Sequence, residues 1–114
     1  MLVGTGEMAE LAAKHLISYG VKTVYVASRT YERAISLAQT LNGCALDFDA
    51  FKEELYRADI VITSTAAPTF IIHKEMIEQA IHKRKNKPIF LIDIAVPRDI
   101  APEVNDLENV YLYD

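Results

Sequence analysis

Cysteine is nearly absent from this sequence: Cys44 is the single one among 114 residues. One thiol excludes an internal disulfide framework and a zinc site built on several cysteines. It suits a reducing compartment, so we expect a cytoplasmic protein. Because 51% of the residues are hydrophobic, the chain can stabilise itself through one core of ordinary domain size.

The sequence also lacks long apolar runs and any excess of positive charge. No segment approaches the roughly 18 apolar residues of a membrane-spanning helix, and no charged-then-apolar leader precedes Gly4. The formal net charge is -4, which gives no bulk electrostatic attraction for nucleic acid or anionic membranes. We therefore expect no membrane contact and a ligand that is recognised locally.

What the sequence does contain is a regular alternation of β-rich runs and helical periods. This pattern is typical of a parallel sheet with helices on both faces. Strands are predicted at MLV, TVYVAS, CAL, ADIVITST, PIFLIDIAV and NVYLY. About six strands with right-handed crossovers give an α/β doubly wound sheet, the Rossmann fold, in the order 3-2-1-4-5-6. Residues 1–114 would form one domain whose first strand is truncated.

Three segments show helical periodicity. The stripes of residues predicted to face the core are Met8, Leu11, Ala12, His15, Leu16 and Tyr19 in the first; Ala34, Leu37, Ala38 and Leu41 in the second; and Ile72, Met76, Ile77, Ala80 and Ile81 in the third. The basic run Lys83–Lys87 ends the third helix. Its simplest interpretation is a solvated helix end, and a contact with RNA phosphate is the alternative.

A glycine loop directly follows the first strand. It matches G-x-G-x-x-A, in which Gly4 permits a tight turn, Gly6 admits a pyrophosphate close to the backbone, and Ala9 keeps the helix near the sheet. The intervening candidate site residues are Thr5, Glu7 and Met8. The bare pattern also fits a turn without a ligand, but strand, loop and helix occur here in register, which favours a dinucleotide site.

The end of the second strand indicates which dinucleotide. An NAD site usually has an acidic residue there, whereas this chain has Ser28, Arg29 and Thr30, with Arg33 one turn further on. A guanidinium and two hydroxyls suit a ribose 2′-phosphate, so NADP is favoured over NAD. The alternative is that Arg29 is a solvated loop residue and Thr30 only a helix cap.

Small residues follow the fourth strand, where the nicotinamide half would lie: Ser64, Thr65 and Ala66. Asp93, at the end of the fifth strand, is expected to accept structural hydrogen bonds. Cys44 is expected to be a buried small residue and His15 a core or boundary histidine. No metal site is predicted, and no set of catalytic acids, bases or nucleophiles accompanies the cofactor site.

Five segments in combination resemble one enzyme family: GTGEMAELAAKHL, VASRT, ADIVITSTAAP, IFLIDIAVPRDI and LENVYLYD. The whole chain resembles the NADPH-binding domain of glutamyl-tRNA reductase. DIAVPRDI followed by LENVYLYD is the specific part, since other Rossmann domains do not carry it. The family's loop corresponds to Gly4–Ala9, with Ala9 where glycine is usual. Its phosphate segment corresponds to Ser28–Thr30, with Ser28 where asparagine is common.

This resemblance implies an NADPH-dependent oxidoreductase of tetrapyrrole (porphyrin) biosynthesis that forms glutamate-1-semialdehyde from glutamyl-tRNA. In that family a preceding domain carries the cysteine that takes the glutamyl group as a thioester, and a following helical domain forms the homodimer. Residues 1–114 would be the middle domain, inactive alone, and Cys44 would not be the nucleophile.

Two other functions remain open at this point. A shikimate dehydrogenase-type enzyme shares phosphate residues like SRT and loops like STAAP, although the AVPRDI segment argues against it. A dinucleotide-sensing module without chemistry would explain the missing catalytic groups. A preceding domain with a reactive cysteine would favour the reductase.

Overall fold

Parallel strands and crossover helices alternate along the chain, as the sequence predicts. The computed structural model describes residues 1–114. Its strands are β1 (Leu2–Val3), β2 (Tyr25–Ser28), β3 (Cys44–Asp47), β4 (Ile60–Thr63), β5 (Ile89–Asp93) and β6 (Val110–Tyr113). Its α-helices are α1 (Glu7–Ser18), α2 (Tyr31–Thr40), α3 (Phe51–Glu54) and α4 (Lys74–Lys83), and short 3-10 turns cover Phe48–Ala50, Leu55–Arg57 and Pro102–Asp106.

The sheet has the order β3-β2-β1-β4-β5-β6, and every neighbouring pair is parallel. This confirms the predicted doubly wound α/β fold. β1 is the shortest strand, with two residues, yet it lies at the centre. Met1 continues its pairing, because its carbonyl oxygen accepts a hydrogen bond from the Ile62 N–H at 2.9 Å. The order places the switch between the two halves of the sheet at β1, directly before the glycine loop.

Each face of the sheet has its own core. On one face, the buried side chains of α3, α4 and the 102–106 turn pack against the inner residues of β4, β5 and β6. On the other face, α1 and α2 cover β1 and β2. The predicted stripe of α2 is buried, and in α4 Ile77, Ala80 and Ile81 are buried while Met76 is half-buried.

The predicted stripe of α1 is largely wrong. Met8, Leu11 and Tyr19 are 65%, 60% and 82% exposed, whereas Ala9 and Ala13 are buried. The helix is rotated so that its alanines face the sheet. Alanine has the smallest side chain that can fill such a contact, and it allows the helix axis to lie close to the strands. Two further predictions are wrong, because His15 is exposed next to the Tyr19 ring and Cys44 is exposed on the edge strand β3.

The basic run that ends α4 is exposed at Lys83, Lys85 and Lys87, as predicted, but Arg84 within it is buried. Arg84 is only 7% exposed, and its guanidinium donates to the carbonyl oxygens of Tyr56, Ala58 and Pro88 at 3.0, 2.7 and 2.7 Å. It also donates to the Asp59 carboxylate at 2.8 Å. These partners lie just before β4 and β5, so Arg84 links the two segments that lead into these strands at the edge of the sheet where the strands begin. We call this the amino edge.

None of the helices has the length and apolar character needed to cross a membrane.

Candidate functional site

The candidate site lies where the strands end, at the carboxyl edge of the sheet. Register places Val3 of β1 opposite Ala27 of β2 and opposite Thr63 of β4. Residues that follow these three strands therefore meet at one place. The Gly4 N–H donates to the Ala27 carbonyl oxygen at 2.8 Å, and the Ser64 N–H donates to the Val3 carbonyl oxygen at 2.9 Å. The glycine loop is thus held between the segments that begin at Ser28 and Ser64.

A Cβ at Gly4 would collide with the Ser64 backbone, and a Cβ at Gly6 would make a tight contact with the Ser64 side chain. Gly4 has φ +106°, and a Cβ there would lie 2.2 Å from the Ser64 carbonyl oxygen. A Cβ at Gly6 would lie 3.1 Å from the Ser64 hydroxyl oxygen. Only glycine adopts the Gly4 conformation without strain. The loop therefore presents bare backbone toward the crevice, which is what close approach of a phosphate requires.

The N-terminus of α1 has donors available for that phosphate. Gly6 is its N-cap residue and offers no side-chain acceptor, so the first-turn N–H groups have no cap from a side chain. Thr5 is half-buried, Glu7 and Met8 are exposed, and Ala9 is fully buried. Ala9 thus has the packing position expected of it, while the side chains of Glu7 and Met8 make no buried contacts.

A second group of residues forms a corner beside the glycine loop. Ser28 is buried, and its hydroxyl oxygen accepts a hydrogen bond from the Thr30 N–H at 3.2 Å. Thr30 is the N-cap residue of α2, but its hydroxyl does not bond to the helix. Its side chain therefore remains available to a ligand. Arg33 lies exposed in the first turn of α2.

Arg29 is held at this corner by an aromatic ring. Its guanidinium carbon lies 4.6 Å from the centroid of Phe48, in the turn that follows β3. The cation–π contact uses the flat face of the guanidinium, so the N–H groups at its edge keep their bonding capacity. None of the ion pairs in the structure involves Arg29. An exposed cation with free donors beside two hydroxyls can bind a phosphate monoester.

The third part of the site is the segment after β4. Ser64 and Thr65 are half-buried and Ala66 is exposed. Thr65 donates to the Asp99 carboxylate through both its N–H, at 2.9 Å, and its hydroxyl, at 2.5 Å. The Ala67 N–H in turn donates to the Thr65 hydroxyl oxygen at 3.2 Å. The loop is therefore fixed from behind by a carboxylate.

Asp99 is the residue that sequence reasoning missed. It is fully buried, and desolvation raises its pKa, an effect that hydrogen bonds from Thr65 oppose and the nearby charge of Asp93 reinforces. Its only sequence signal is a carboxylate within an apolar segment, and that signal does not reveal its partner 34 residues away. Asp93 has the structural role predicted for it, because its carboxylate accepts from the N–H groups of Ala95, Asp99 and Ile100.

A cavity of about 460 Å³ lies elsewhere. It opens at the amino edge, and its walls are mostly apolar side chains such as Leu2, Leu16 and Ile62. The glycine loop and the Arg29 corner do not contribute to it. A dinucleotide pyrophosphate is typically bound by the N–H donors of a helix N-terminus, which the carboxyl edge supplies. Lys22 and Arg57 line the cavity, but no helix N-terminus does.

Comparison with known proteins identifies the family. The family model described as Shikimate / quinate 5-dehydrogenase matches residues 1–114. The chain belongs to this family. Among curated proteins, the family member is 58% identical over 114 residues to glutamyl-tRNA reductase of Geobacter metallireducens and 56% identical over 113 residues to that of Geotalea uraniireducens. It spans 26% of the length of each, about a quarter.

Solved structures agree with this placement. The glutamyl-tRNA reductase from Methanopyrus kandleri has a TM-score of 0.92 at 45% identity, covering 98% of this chain and 28% of the other. Quinate dehydrogenase from Corynebacterium glutamicum in complex with NAD has a TM-score of 0.77 at 19% identity, covering 99% and 42%. The second likeness concerns the fold alone. The family member therefore has a dinucleotide-binding dehydrogenase fold, and it is similar to glutamyl-tRNA reductases in both sequence and structure.

Proposed function

We propose that residues 1–114 form the NADPH-binding domain of a cytoplasmic glutamyl-tRNA reductase. The full-length protein would reduce the glutamyl group of glutamyl-tRNA, held as a thioester, to glutamate-1-semialdehyde. A catalytic domain would precede this one and a dimerisation domain would follow it. The observation that carries the proposal is the Arg29 corner, which supplies free cationic donors for a 2′-phosphate in a chain 58% identical to a glutamyl-tRNA reductase.

The residues present fit NADPH. Gly4 and Gly6 have no Cβ, so Ser64 packs directly against the loop backbone, and the N-terminus of α1 offers N–H donors to the pyrophosphate. Arg29 and the hydroxyl of Thr30 would bind the 2′-phosphate, with Arg33 adding positive charge. Ser64, Thr65 and Ala66 would line the nicotinamide half. This division of roles uses every part of the carboxyl edge.

When bound, NADPH would supply a hydride to the thioester carbonyl carbon, and the carbon–sulfur bond would break to release the aldehyde and a thiolate. The domain itself would only bind and orient the dinucleotide. Asp99 is buried and paired with Thr65, so it would not act on a substrate. Substrate choice would belong to the rest of the protein.

Shikimate or quinate oxidation is the competing function, and the family description is the observation that favours it. The identities favour the reductase, with 45% to a glutamyl-tRNA reductase structure against 19% to quinate dehydrogenase. Assays of the full-length protein with glutamyl-tRNA and with shikimate would separate the two. Turnover of shikimate with NADP, without reduction of glutamyl-tRNA, would overturn the proposal.

The cofactor part of the proposal is tested by titrating the 114-residue chain with NADPH and NADH. We expect Arg29→Ala to weaken NADPH binding by about 1 to 3 kcal/mol, the usual cost of losing a charged hydrogen bond, and to change NADH binding far less. Isothermal titration calorimetry measures both affinities.

Arg57→Ala is the matched control. Arg57 is also an exposed arginine near an aromatic ring, but it lies at the amino edge and pairs with Glu54. This variant should bind both coenzymes like the parent chain. Equal losses for NADPH and NADH in Arg29→Ala, or tighter binding of NADH by the parent chain, would contradict recognition of the 2′-phosphate.

A further inference from the structure

We infer that Asp99 is a positioning residue for the nucleotide crevice: it fixes the segment Ser64–Ala67 against the glycine loop and so sets the width of the crevice. The inference deepens the proposed function and depends on it for the identity of the ligand. Asp99 is fully buried, so it acts through Thr65 and not by touching the nucleotide.

The carboxylate of Asp99 binds Thr65 at two points. One oxygen accepts from the Thr65 N–H at 2.9 Å and the other from the Thr65 hydroxyl at 2.5 Å. These two bonds fix both the backbone and the side-chain rotamer of Thr65. The same hydroxyl accepts from the Ala67 N–H, so the next turn of the loop is fixed as well. Without the carboxylate, the Thr65 N–H would lose its partner, at a cost that buried donors usually avoid.

Asp99 is itself held from two sides, which is necessary if it is to hold something else. Its N–H donates to the Asp93 carboxylate at 2.8 Å, at the end of β5. Its carbonyl oxygen accepts from the N–H groups of Ile71 and Ile72 at 2.7 and 3.1 Å. Asp93 is also the nearby carboxylate whose charge acts on Asp99, and Arg98 bonds the Asp93 carbonyl oxygen rather than either carboxylate. Asp99 is therefore a fixed point of the sheet end.

The position of Thr65 decides the position of Ser64, and Ser64 forms one wall of the glycine loop. The Ser64 carbonyl oxygen occupies the space next to the Gly4 Cα, and the Ser64 hydroxyl lies near Gly6. If the Thr65 backbone moved after losing its hydrogen bond to Asp99, the adjoining Ser64 carbonyl oxygen would move toward or away from the glycine loop. Nucleotide affinity should therefore depend on a residue that no nucleotide atom can reach.

The test compares Asp99→Asn and Asp99→Ala. Asparagine keeps an acceptor for the Thr65 N–H and a second polar group toward its hydroxyl, whereas alanine keeps neither. We expect Asp99→Ala to weaken NADPH binding by roughly tenfold or more and Asp99→Asn to restore it to within about threefold of the parent chain. Leu55→Ala, a core truncation at the amino edge, is the control for general destabilisation and should leave the affinity of the folded protein unchanged.

A second pair of variants keeps the inference testable if Asp99→Ala does not fold. Thr65→Ser keeps the hydroxyl, and Thr65→Val removes it with little change of shape. We expect Thr65→Val to bind NADPH roughly tenfold more weakly than Thr65→Ser. Hydrogen exchange at the Thr65 and Ala67 amides, measured without nucleotide, should be slow in the parent chain and in Asp99→Asn, and faster in Asp99→Ala.

The outcomes separate this inference from the proposed function. If the parent chain does not bind NADPH but exchange at Thr65 follows Asp99 as expected, the proposed function fails and the positioning role stands. If NADPH binds and neither pair of variants differs in affinity, the positioning role is overturned. It is also overturned if Leu55→Ala weakens binding as much as Asp99→Ala, because general destabilisation would then account for the loss.

Discussion

Two arginines, one at each edge of the sheet, differ in burial and in hydrogen bonding. At the amino edge, Arg84 is buried, and its donors are satisfied by carbonyl oxygens of the protein and by Asp59. At the carboxyl edge, Arg29 is exposed and rests on the Phe48 ring. The first arginine completes the fold. The second is held in place with its hydrogen bonds still to be made.

This difference shows which edge of the sheet has polar groups available to a ligand. Polar groups that serve the fold alone find partners within it, since buried unpaired donors are costly. At the carboxyl edge, by contrast, groups that a ligand can approach lie together. They are the backbone at Gly4 and Gly6, the N-terminus of α1, which has no side-chain cap, and the Arg29 guanidinium on the Phe48 ring. The amino edge has a cavity but no comparable set of free donors. Three predictions test this contrast.

The largest effect is expected at the amino edge. Arg84→Ala would remove one buried and two partly buried hydrogen bonds to the carbonyl oxygens of Ala58, Tyr56 and Pro88. Since an unsatisfied buried group costs about 1 to 3 kcal/mol, the free energy of unfolding should fall by about 3 kcal/mol or more. Urea denaturation measures the change. The folded fraction should bind NADPH with unchanged affinity. A loss below about 1 kcal/mol would show that the amino edge does not depend on this residue.

Gly4→Ala should have the next largest effect, now at the carboxyl edge. Gly20→Ala is a matched control, because Gly20 has φ +105° with no atom near its would-be Cβ, while Gly4 has φ +106° with Ser64 at 2.2 Å. Both variants carry backbone strain of about 1 to 3 kcal/mol, and Gly4→Ala adds a backbone collision. We expect Gly4→Ala to be less stable and to lose nucleotide binding, and Gly20→Ala to keep it. Equal thermal unfolding midpoints would contradict the contact with Ser64.

The smallest effect concerns pH and Asp99. Because its pKa is raised in the folded state, the stability from protonated Asp99 is fully present below the unfolded pKa of 3.8 and is lost as pH rises through the folded pKa. Asp99→Asn cannot titrate, so the parent chain should lose stability relative to this variant as pH rises through that window. Urea denaturation at several pH values measures the difference. Asp106→Asn, at an exposed carboxylate, should show no such trend.

Much of the fold could be predicted from the sequence because most segments matched the periodicity of either a strand or a helix, and not both. Glycine loop, strand and helix followed in register, and right-handed crossovers then left a single strand order. Helix α1 was the exception, since its apolar residues form two stripes. Periodicity cannot choose between Leu11 and Ala13 when both are apolar; close packing on the sheet chose the alanines.

The remaining errors concern contacts between distant parts of the chain. Arg84 lies in a basic run that resembles a solvated helix end, and only folding brings it to Ala58, 26 residues away. Asp99 reaches Thr65 across 34 residues in the same way. Cys44 was expected to be buried, but β3 is an edge strand whose side chains remain partly open to solvent. Spacing along the chain does not encode any of these partners.

The stacking of Arg29 on Phe48 has a consequence for how coenzyme preference could change. The ring belongs to the turn after β3, so the cation depends on a different crossover from the one that supplies it. Replacing Arg29 by an acidic residue would leave an aromatic platform that no longer supports a charge. We therefore expect replacements at both positions to shift the preference between the two coenzymes further than replacement of Arg29 alone.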